Sequence, residues 1–307
     1  MSPKKVALIV GASRGIGRQI AIDLARNGYA VVVAAKSTSE ASKAKPFPPD
    51  PNSPQSTIST VQREIREAGG EATAIAVDTR DYESVQHMVD EAVSIYGGLD
   101  VLIYNSGAIW WASIENTPMR RFKLMQRVNA EGLYGTIQAA LPHFKNNGWK
   151  GRIIVVSPPI YSRFFRGKTA YAMGKVGMSV LTKGLAMDFE RDGRAQMSIT
   201  SIWPATAIQS GATRDPDITA ELRKPTIFSD AIMTMLDAPP DRVNGHLELD
   251  EDFLREYSHI EDFSKYAVVA GATPRRIMPA RFPVLEVAEQ DDEGRRVDST
   301  KRASAKL

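Results

Sequence analysis

Tyr171 and Lys175 lie four residues apart in a segment with helical spacing that begins at about Thr169 and ends at about Glu190. This spacing places both side chains on one face of a helix, one turn apart. A tyrosine phenol has a pKa of about 10 and is a poor acid–base group at neutral pH. Because a neighbouring ammonium favours the phenolate and lowers that pKa, the pair could pass a proton to or from an alcohol oxygen. The same pattern also occurs on solvated helix faces, so its place in the fold decides its meaning.

A glycine-rich turn near the N-terminus could hold a phosphate group. The apolar run Val6–Val10 precedes it and predicts a strand buried on both faces of a parallel sheet, and the amphipathic run Arg18–Asn27 follows it. A strand, a glycine turn and a helix start in this order can bind a pyrophosphate, because the backbone approaches closely and free N–H groups point at the ligand. The alternative is an ordinary strand-to-helix turn. The residues assigned to phosphate binding are Gly11, Ser13, Arg14, Gly15, Ile16 and Gly17.

Lys36 follows the second predicted strand, Tyr29–Ala35. NAD-binding folds usually place an acidic residue at this point, about 20 residues past the glycine turn, to bind the ribose 2′-hydroxyl. A lysine here, together with Arg14 in the turn, suits a 2′-phosphate instead. The sequence therefore favours NADP over NAD, the alternative being a solvated lysine at a strand end.

Asp78 ends the third predicted strand, Ala72–Val77. Its carboxylate could accept a hydrogen bond from the amino group of an adenine. The alternative role is to cap the next predicted helix, Asp81–Tyr96, although Thr79 or Asp81 itself could do so. Between the second and third strands, five prolines in residues 40–56 exclude a helix interior and predict a long exposed loop near the adenosine end of the cofactor.

Two asparagines occupy informative positions in the middle of the chain. Asn105 and Gly107 follow the fourth predicted strand, Asp100–Tyr104, where small residues let the backbone pass close to a ribose or nicotinamide. Asn129 lies in the middle of a long helix predicted from Thr117 or Pro118 to about Phe144. Asparagine is unfavourable there unless its side chain forms specific contacts.

Strand and helix patterns alternate along the chain, and the strands are apolar runs of about six residues, as parallel strands covered on both faces require. We therefore predict an α/β fold, a doubly wound parallel sheet (Rossmann), in a single domain over residues 1–285. Residues 286–307 lack apolar periodicity and predict a disordered tail. The remaining predicted elements are strands Gly151–Val156, Met197–Trp203 and His246–Leu249 and a helix at Phe228–Leu236.

Length and composition exclude several classes of protein. The 307 residues are 43% hydrophobic, which suffices for one domain with a substantial core. The net charge of +3 is spread over the chain, whereas nucleic-acid binding needs a clustered basic face. The chain has no cysteine, and its four histidines show no metal-ligand spacing, so we expect no metal site. No apolar run reaches about 18 residues, the length expected of a membrane-spanning helix.

The pattern Gly-x-x-x-Gly-Ile-Gly, the Asn-Ser-Gly after the fourth strand, Asn129 and Tyr-x-x-x-Lys occur in the order and at roughly the spacings of the short-chain dehydrogenase/reductase family. The chain resembles this family over about residues 4–250. The resemblance implies a nicotinamide-dependent oxidoreductase with Tyr171 as the acid/base. It also implies that Lys175 binds the nicotinamide ribose and lowers the tyrosine pKa, that Asn129 holds a water in a proton relay, and that the protein assembles into dimers or tetramers.

The sequence departs from the family pattern at two points. The family usually has a catalytic serine about 13 residues before the tyrosine, where this chain has Pro158. Ser157 could take that role after a small loop adjustment, and Ser162 is a second candidate. After the sixth strand, Pro-Ala replaces the usual Pro-Gly, and the next residue, Thr206, could still contact the nicotinamide amide.

The substrate is predicted only in outline. A segment of about residues 205–240 should cover the active site, and a hydrophobic carbonyl or alcohol is the favoured substrate. The aromatic residues that could line an apolar pocket, or belong to the core or a subunit interface, are Trp110, Trp111, Tyr161, Phe164 and Phe165. The alternative function is that of an NADP-binding sensor or assembly subunit that has lost efficient chemistry, a reading motivated by Pro158.

The last three residues, Ala305, Lys306 and Leu307, match a conservative variant of the Ser-Lys-Leu peroxisomal address. A disordered tail would present this tripeptide to a receptor. The sequence therefore predicts a peroxisomal protein, and a coincidental ending in a cytoplasmic protein is the alternative.

Overall fold

A parallel sheet forms the centre of the computed structural model, which describes residues 4–287. Its seven strands within that range have the order β3-β2-β1-β4-β5-β6-β7, and every neighbouring pair is parallel. This topology confirms the predicted doubly wound fold. In chain order the strands are β1 (Val6–Val10), β2 (Ala30–Ala35), β3 (Glu71–Ala76), β4 (Val101–Tyr104), β5 (Gly151–Val156), β6 (Met197–Trp203) and β7 (Leu247–Leu249).

Helices connect the strands and cover both faces of the sheet. They are α1 (Gly15–Arg26), α2 (Ile58–Glu67), α3 (Tyr82–Tyr96), α4 (Met119–Gln126), α5 (Gly132–Asn146), α6 (Thr169–Arg191), α7 (Thr226–Asp237) and α8 (Asp250–Ser258). A π-helical turn, Arg127–Glu131, joins α4 to α5. None of the helices in the described range is long and apolar enough to cross a membrane.

The core consists of two apolar layers separated by the sheet. Successive side chains of a strand point to opposite faces, so β1 contributes to both layers. Ile9 belongs to the layer that includes Phe228 of α7, and Leu8 belongs to the layer that includes Met88 of α3 and Phe144 of α5. All five residues of β1 are buried, as its uninterrupted apolar sequence predicts.

Three elements differ from the sequence prediction. Helix α1 begins at Gly15 rather than Arg18, because the end of the glycine turn is already helical. Arg18 itself is buried and forms an ion pair with Glu64. The predicted long helix around Asn129 is interrupted by the π-helical turn. Helix α8 was not predicted, since its acidic first turn, Asp250–Asp252, resembles a solvated loop.

The predicted tail lies mostly outside the described residues. Glu286 is described, and its Oε1 lies 3.4 Å from Nζ of Lys183 on α6. Ala305, Lys306 and Leu307 fall beyond residue 287, so the proposed address is not part of the described structure. Within residues 4–287 there is no cluster of three or more side chains that could hold a metal ion.

Candidate active site

A cavity of about 500 Å³ opens at the carboxyl ends of the strands and extends from the glycine turn to Tyr171. Ligands of open α/β sheets bind at this edge. The predicted site residues that line it are Gly11, Ser13, Arg14, Gly15, Ile16, Lys36, Asn105, Gly107, Tyr171 and Lys175. The predicted site residues that do not line it are Gly17, Asp78, Asn129, Ser157 and Thr206.

The glycine turn packs tightly against the end of β4. Gly11 has a φ of +92°, and a Cβ atom on it would lie 2.6 Å from the backbone nitrogen of Ser106. A Cβ atom on Gly17 would lie 2.2 Å from the carbonyl oxygen of Gly11. The side-chain amide of Asn105 donates to the same carbonyl at 2.9 Å and so joins the turn to β4. Only glycine therefore allows this close approach of the turn to β4.

The proline-rich loop lies over the glycine turn. The backbone N–H of Gly15 donates to the carbonyl of Pro51 at 3.0 Å, and the hydroxyl of Ser56 donates to the carbonyl of Ser13 at 2.7 Å. From the other side, Arg214 donates to the carbonyl of Asn52 at 2.6 Å. The loop therefore contacts the glycine turn itself.

Lys36 and Asp78 meet at the ends of β2 and β3. Lys36 Nζ lies 3.0 Å from Asp78 Oδ2, and Arg80 binds the same carboxylate at 2.5 Å. Hydrogen bonds from Arg80 and Lys36 hold the pKa of Asp78 well below its usual range. Asp81, and not Asp78, caps α3 by accepting from the backbone N–H of Glu83. Arg14 donates to the hydroxyl of Ser37 at 3.1 Å beside this group.

Tyr171 and Lys175 lie together on the buried face of α6, as the spacing predicts. Nζ of Lys175 donates to the carbonyl of Val156 at 2.8 Å. Burial lowers the pKa of Lys175 to about 7 and raises the pKa of Tyr171 above its ordinary value. The expected lowering of the tyrosine pKa is therefore not found, because desolvation by burial disfavours the charged phenolate.

The side chain of Asn129 binds the backbone of the loop that follows β4. Its Oδ1 accepts from the backbone N–H of Ala108 at 2.9 Å, and its Nδ2 donates to the carbonyl of Ala108 at 3.1 Å. A Cβ atom on the adjacent Gly107 would lie 3.4 Å from Lys175 Nζ and 3.5 Å from Asn129 Oδ1. The asparagine thus fixes the loop directly beside the lysine, with both polar ends of its side chain occupied by backbone.

The structure places two predicted hydroxyl groups outside the cavity. Ser157 is fully buried, and its Oγ has no hydrogen-bond partner among the described residues. The hydroxyl of Thr206 is also buried and donates to Glu251 Oε1 at 2.8 Å. Ser162, the second candidate serine, is exposed and does not line the cavity. Neither the Ser157 hydroxyl nor the Thr206 hydroxyl therefore reaches a cavity ligand in this arrangement.

Aromatic side chains surround Tyr171, but few of the predicted ones face the cavity. The ring of Trp111 lines it and meets the Tyr171 ring edge-on at 6.3 Å. Phe164 packs against Tyr171 at 6.1 Å and against Trp203 at 5.8 Å from the protein side. Trp110 lies beside Arg121 instead. Tyr161 and Phe165 also lie outside the cavity lining.

Some cavity residues were not predicted individually. The predicted covering segment contributes Ala207, Ile208 and residues 210–213 to the lining. Ser210 in this segment also lines the cavity. Trp203 and Ile277 also line the cavity. Ile277 lies 28 residues past the end of β7, and no local pattern connects it with the site.

The sequence model of the enoyl-(acyl carrier protein) reductase family matches residues 11–234. Hydroxysteroid dehydrogenase-like protein 2 from Mus musculus is 34% identical to this chain over 268 residues, which are 86% of this chain and 51% of that protein. This chain therefore spans about half of the length of that curated relative.

Two solved structures extend the comparison to the fold. A short-chain dehydrogenase from Mycobacterium thermoresistibile has a TM-score of 0.77 and 34% identity, covering 89% of this chain and 94% of that one. A 7α-hydroxysteroid dehydrogenase complexed with NADH and 7-oxo glycochenodeoxycholic acid has a TM-score of 0.64 and 25% identity, covering 80% of this chain and 92% of that one. Fold, motif order and family match agree: this chain belongs to the short-chain dehydrogenase/reductase family of nicotinamide-dependent oxidoreductases.

Proposed function

We propose that this protein transfers a hydride between NADP(H) and a hydrophobic carbonyl or alcohol, with Tyr171 as the acid/base. The observation that carries the proposal is the continuity of one cavity from the glycine turn to Tyr171 and the buried Lys175. The glycine turn, together with Asn105 and Gly107, fits a dinucleotide. A Cβ atom on Gly11 or Gly17 would clash with the neighbouring backbone, so the tight turn at one end of this cavity requires glycine.

The proton chemistry follows from the placement of two side chains. In the reductive direction the Tyr171 hydroxyl donates its proton to the carbonyl oxygen of the substrate, and in the oxidative direction the phenolate accepts it. In its protonated form the Lys175 ammonium stabilises that phenolate, and the Val156 carbonyl holds its Nζ in place. A bound nicotinamide supplies or accepts the hydride. Asn129 keeps the loop at Gly107 beside Lys175 through its two hydrogen bonds with the backbone of Ala108.

The preference for NADP rests on the charges near the end of β2. Lys36, Arg80 and Asp78 together carry one net positive charge, and Arg14 at the glycine turn raises the net charge of the group to +2. A 2′-phosphate would receive charge-assisted hydrogen bonds from Lys36 and Arg14. The 7α-hydroxysteroid dehydrogenase compared above is complexed with NADH, so NAD is the rival cofactor that a titration must exclude.

A second candidate function is supported by the position of Ser157. Its hydroxyl is fully buried, and Pro158 takes the place of the usual serine. The mechanism above therefore assigns Ser157 no contact with substrate. A protein in which no serine hydroxyl contacts the substrate could bind NADP as a sensor or assembly subunit with weakened chemistry.

Assembly and location form part of the proposal. Helices α5 and α6 expose the apolar side chains Tyr134, Met173, Val180 and Met187, which suit a helix-on-helix contact between two or more copies. The C-terminal Ala305-Lys306-Leu307 suits import into peroxisomes.

The deciding experiment is NADPH oxidation by the purified chain across a panel of ketones and aldehydes. Turnover of hydrophobic carbonyls supports the enzyme. Tight NADPH binding without turnover of any carbonyl favours the weakened nucleotide-binding protein instead.

A further inference from the structure

A C-terminal strap, which we define as residues 276–282, contributes Ile277 to the lining of the cavity. This strap lies outside the residues that the family model matches, 11–234. It runs beside the loop after β6. The backbone N–H groups of Ile277 and Met278 both donate to the carbonyl of Ala205, at 2.9 and 3.2 Å. The strap is therefore attached to the backbone of the loop that follows the β6 strand end at the cavity.

An ion pair fixes the strap on the N-terminal side of Ile277. The guanidinium of Arg276 binds both carboxylate oxygens of Asp252, at 2.5 and 2.6 Å. The same guanidinium donates to the carbonyls of Met278 at 3.0 Å and Pro279 at 2.8 Å. A planar bidentate contact of this kind sets orientation as well as distance. Arg276 thus folds the backbone around Ile277 into one shape.

Apolar packing fixes the strap on the other side. Met278 is buried with Ala205 and Leu249, and the ring of Phe282 meets Tyr161 edge-on at 5.4 Å. Ile277 between these anchors is 54% exposed, yet it lines the cavity. Because its backbone is anchored, the exposed Ile277 side chain has a defined position in the lining and could contact a ligand.

The first turn of α8 connects the walls of the cavity to one another. Asp250 accepts from the backbone N–H of Ala205 at 2.8 Å, Glu251 binds Thr206 and Arg223, and Asp252 binds Arg276. Three consecutive acidic residues therefore hold the loop after β6, Arg223 in the middle of the covering segment, and the strap. These contacts explain why Ile277 lies at the cavity.

We infer that Ile277 is a specificity-determining residue that limits the bulk of the substrate, and that Arg276 is the residue that positions it. Ile109, Trp111 and Ile277 are exposed apolar side chains in the lining of this same cavity. Contact with an apolar ligand body would remove all three from water, which favours binding. The inference rests on the proposed function for the identity of the reaction, but the size limit is a property of the cavity alone.

The test compares cyclohexanone with the bulkier 2-decalone as ketone substrates with NADPH. Ile277→Ala should raise the ratio of kcat/KM for 2-decalone over cyclohexanone by about tenfold or more, and Ile277→Phe should lower it, since each buried methylene changes discrimination by about tenfold or more. Arg276→Ala should shift this ratio in the same direction as Ile277→Ala while the kcat for cyclohexanone stays near wild type, and Arg276→Lys should restore part of the selectivity. Val284→Ala, which alters an 85% exposed valine beyond the strap and outside this cavity, is the control and should change nothing.

A second readout separates this inference from the proposed function. The Kd of 2-decalone is measured by calorimetry for the same variants without cofactor. If wild type reduces no ketone, the proposed function fails, and a tighter Kd in Ile277→Ala with a weaker one in Ile277→Phe still supports the size limit. Turnover with an unchanged selectivity ratio in both Ile277 variants overturns the inference while the proposed function stands. Without turnover, a Kd that is unchanged or undetectable in all variants also overturns it.

Discussion

Nζ of Lys36 lies 3.0 Å from Oδ2 of Asp78, so the lysine expected to bind a 2′-phosphate already shares a carboxylate with Arg80. The Lys36 side chain is nonetheless 68% exposed and can turn towards a ligand. We expect NADPH to bind more tightly than NADH, with Lys36→Asp reversing the order because it removes a cation and adds a charge repelled by the phosphate. Asp78→Asn should increase the preference for NADPH, since it releases both cations.

Titration of both cofactors against wild type and these variants checks this expectation. A charge-assisted hydrogen bond contributes about 1.5–3 kcal/mol, so Lys36→Asp should weaken NADPH binding by about tenfold or more. Lys150→Asp is the matched control, because it changes the net charge by the same amount but lies at the amino end of β5, away from the cavity. A wild-type preference for NADH, or an NADPH preference retained by Lys36→Asp, would show that the 2′-phosphate is not read by this lysine.

The glycine turn gives a second prediction. Gly17→Ala places a methyl group 2.2 Å from the carbonyl oxygen of Gly11, and the backbone must move to admit it. We expect a loss of about 1–3 kcal/mol in the free energy of unfolding, as is typical of overpacking, together with weaker NADPH binding. Gly98→Ala is the matched control, because a Cβ atom there meets nothing within 4 Å. Urea unfolding and NADPH titration measure both effects, and equal behaviour of the two variants would contradict the tight-turn explanation.

Burial of Lys175 predicts a pH-dependent stability. Its pKa is about 7 in the folded chain and about 10.4 in an unfolded one. Between these values the unfolded chain binds more protons, so this residue makes the free energy of unfolding rise with pH and costs most below about pH 7. Lys175→Met removes that cost. The free energy of unfolding of the variant, minus that of wild type, should therefore be most positive at pH 6 and should decrease towards pH 9.

Urea unfolding of the cofactor-free protein at pH 6, 7.5 and 9 measures this difference. Lys183→Met on the same helix is the control, since the Lys183 side chain is 30% exposed and keeps contact with solvent. A difference between Lys175→Met and wild type that is constant over this range, or that grows with pH, would refute the assignment of a buried, easily deprotonated lysine.

The proposed import signal gives a fourth prediction. Deletion of Ala305–Leu307 should move a tagged protein from peroxisomes to the cytosol, because the receptor reads a free C-terminal tripeptide. Fold and catalysis should stay unchanged, since residues 290–307 lack the apolar periodicity of a core segment. Fluorescence imaging of the full chain and the truncated chain gives the answer, and an unchanged location after deletion would reject the signal.

The sequence predicts the sheet well because buried parallel strands are short apolar runs with few alternatives. Tyr171 and Lys175 were placed together for a similarly local reason, their spacing within one helix. Contacts between distant residues are what the sequence did not predict. The hydroxyl of Thr206, for example, donates to Glu251, 45 residues later. Ile277 reaches the cavity only through contacts of the strap with Asp252 and Ala205, which no pattern around residue 277 reveals.

The rise in the Tyr171 pKa has the same kind of origin. Spacing indicates that a lysine is near, but the balance between an ammonium and desolvation depends on burial, and burial depends on the whole fold.

The orientation of Ser157 also depends on the whole fold. It is adjacent to Val156, which lines the cavity, yet its own side chain points into protein. Ser157→Ala should therefore change turnover little, whereas a hydrogen bond to the substrate oxygen would make it cost about tenfold or more.

The most direct test of the account is the rate of NADPH oxidation by Tyr171→Phe with the ketone that wild type reduces fastest. The substitution removes only the phenolic oxygen, so ring packing against Trp111 and Phe164 and the Kd of NADPH should survive. Tyr161→Phe, whose hydroxyl contacts Met278 outside the cavity, is the control and should keep its rate. We predict that Tyr171→Phe lowers turnover by about 10²–10⁴-fold, as general acid–base catalysis requires. A Tyr171→Phe protein that oxidises NADPH at the wild-type rate would contradict the proposed mechanism.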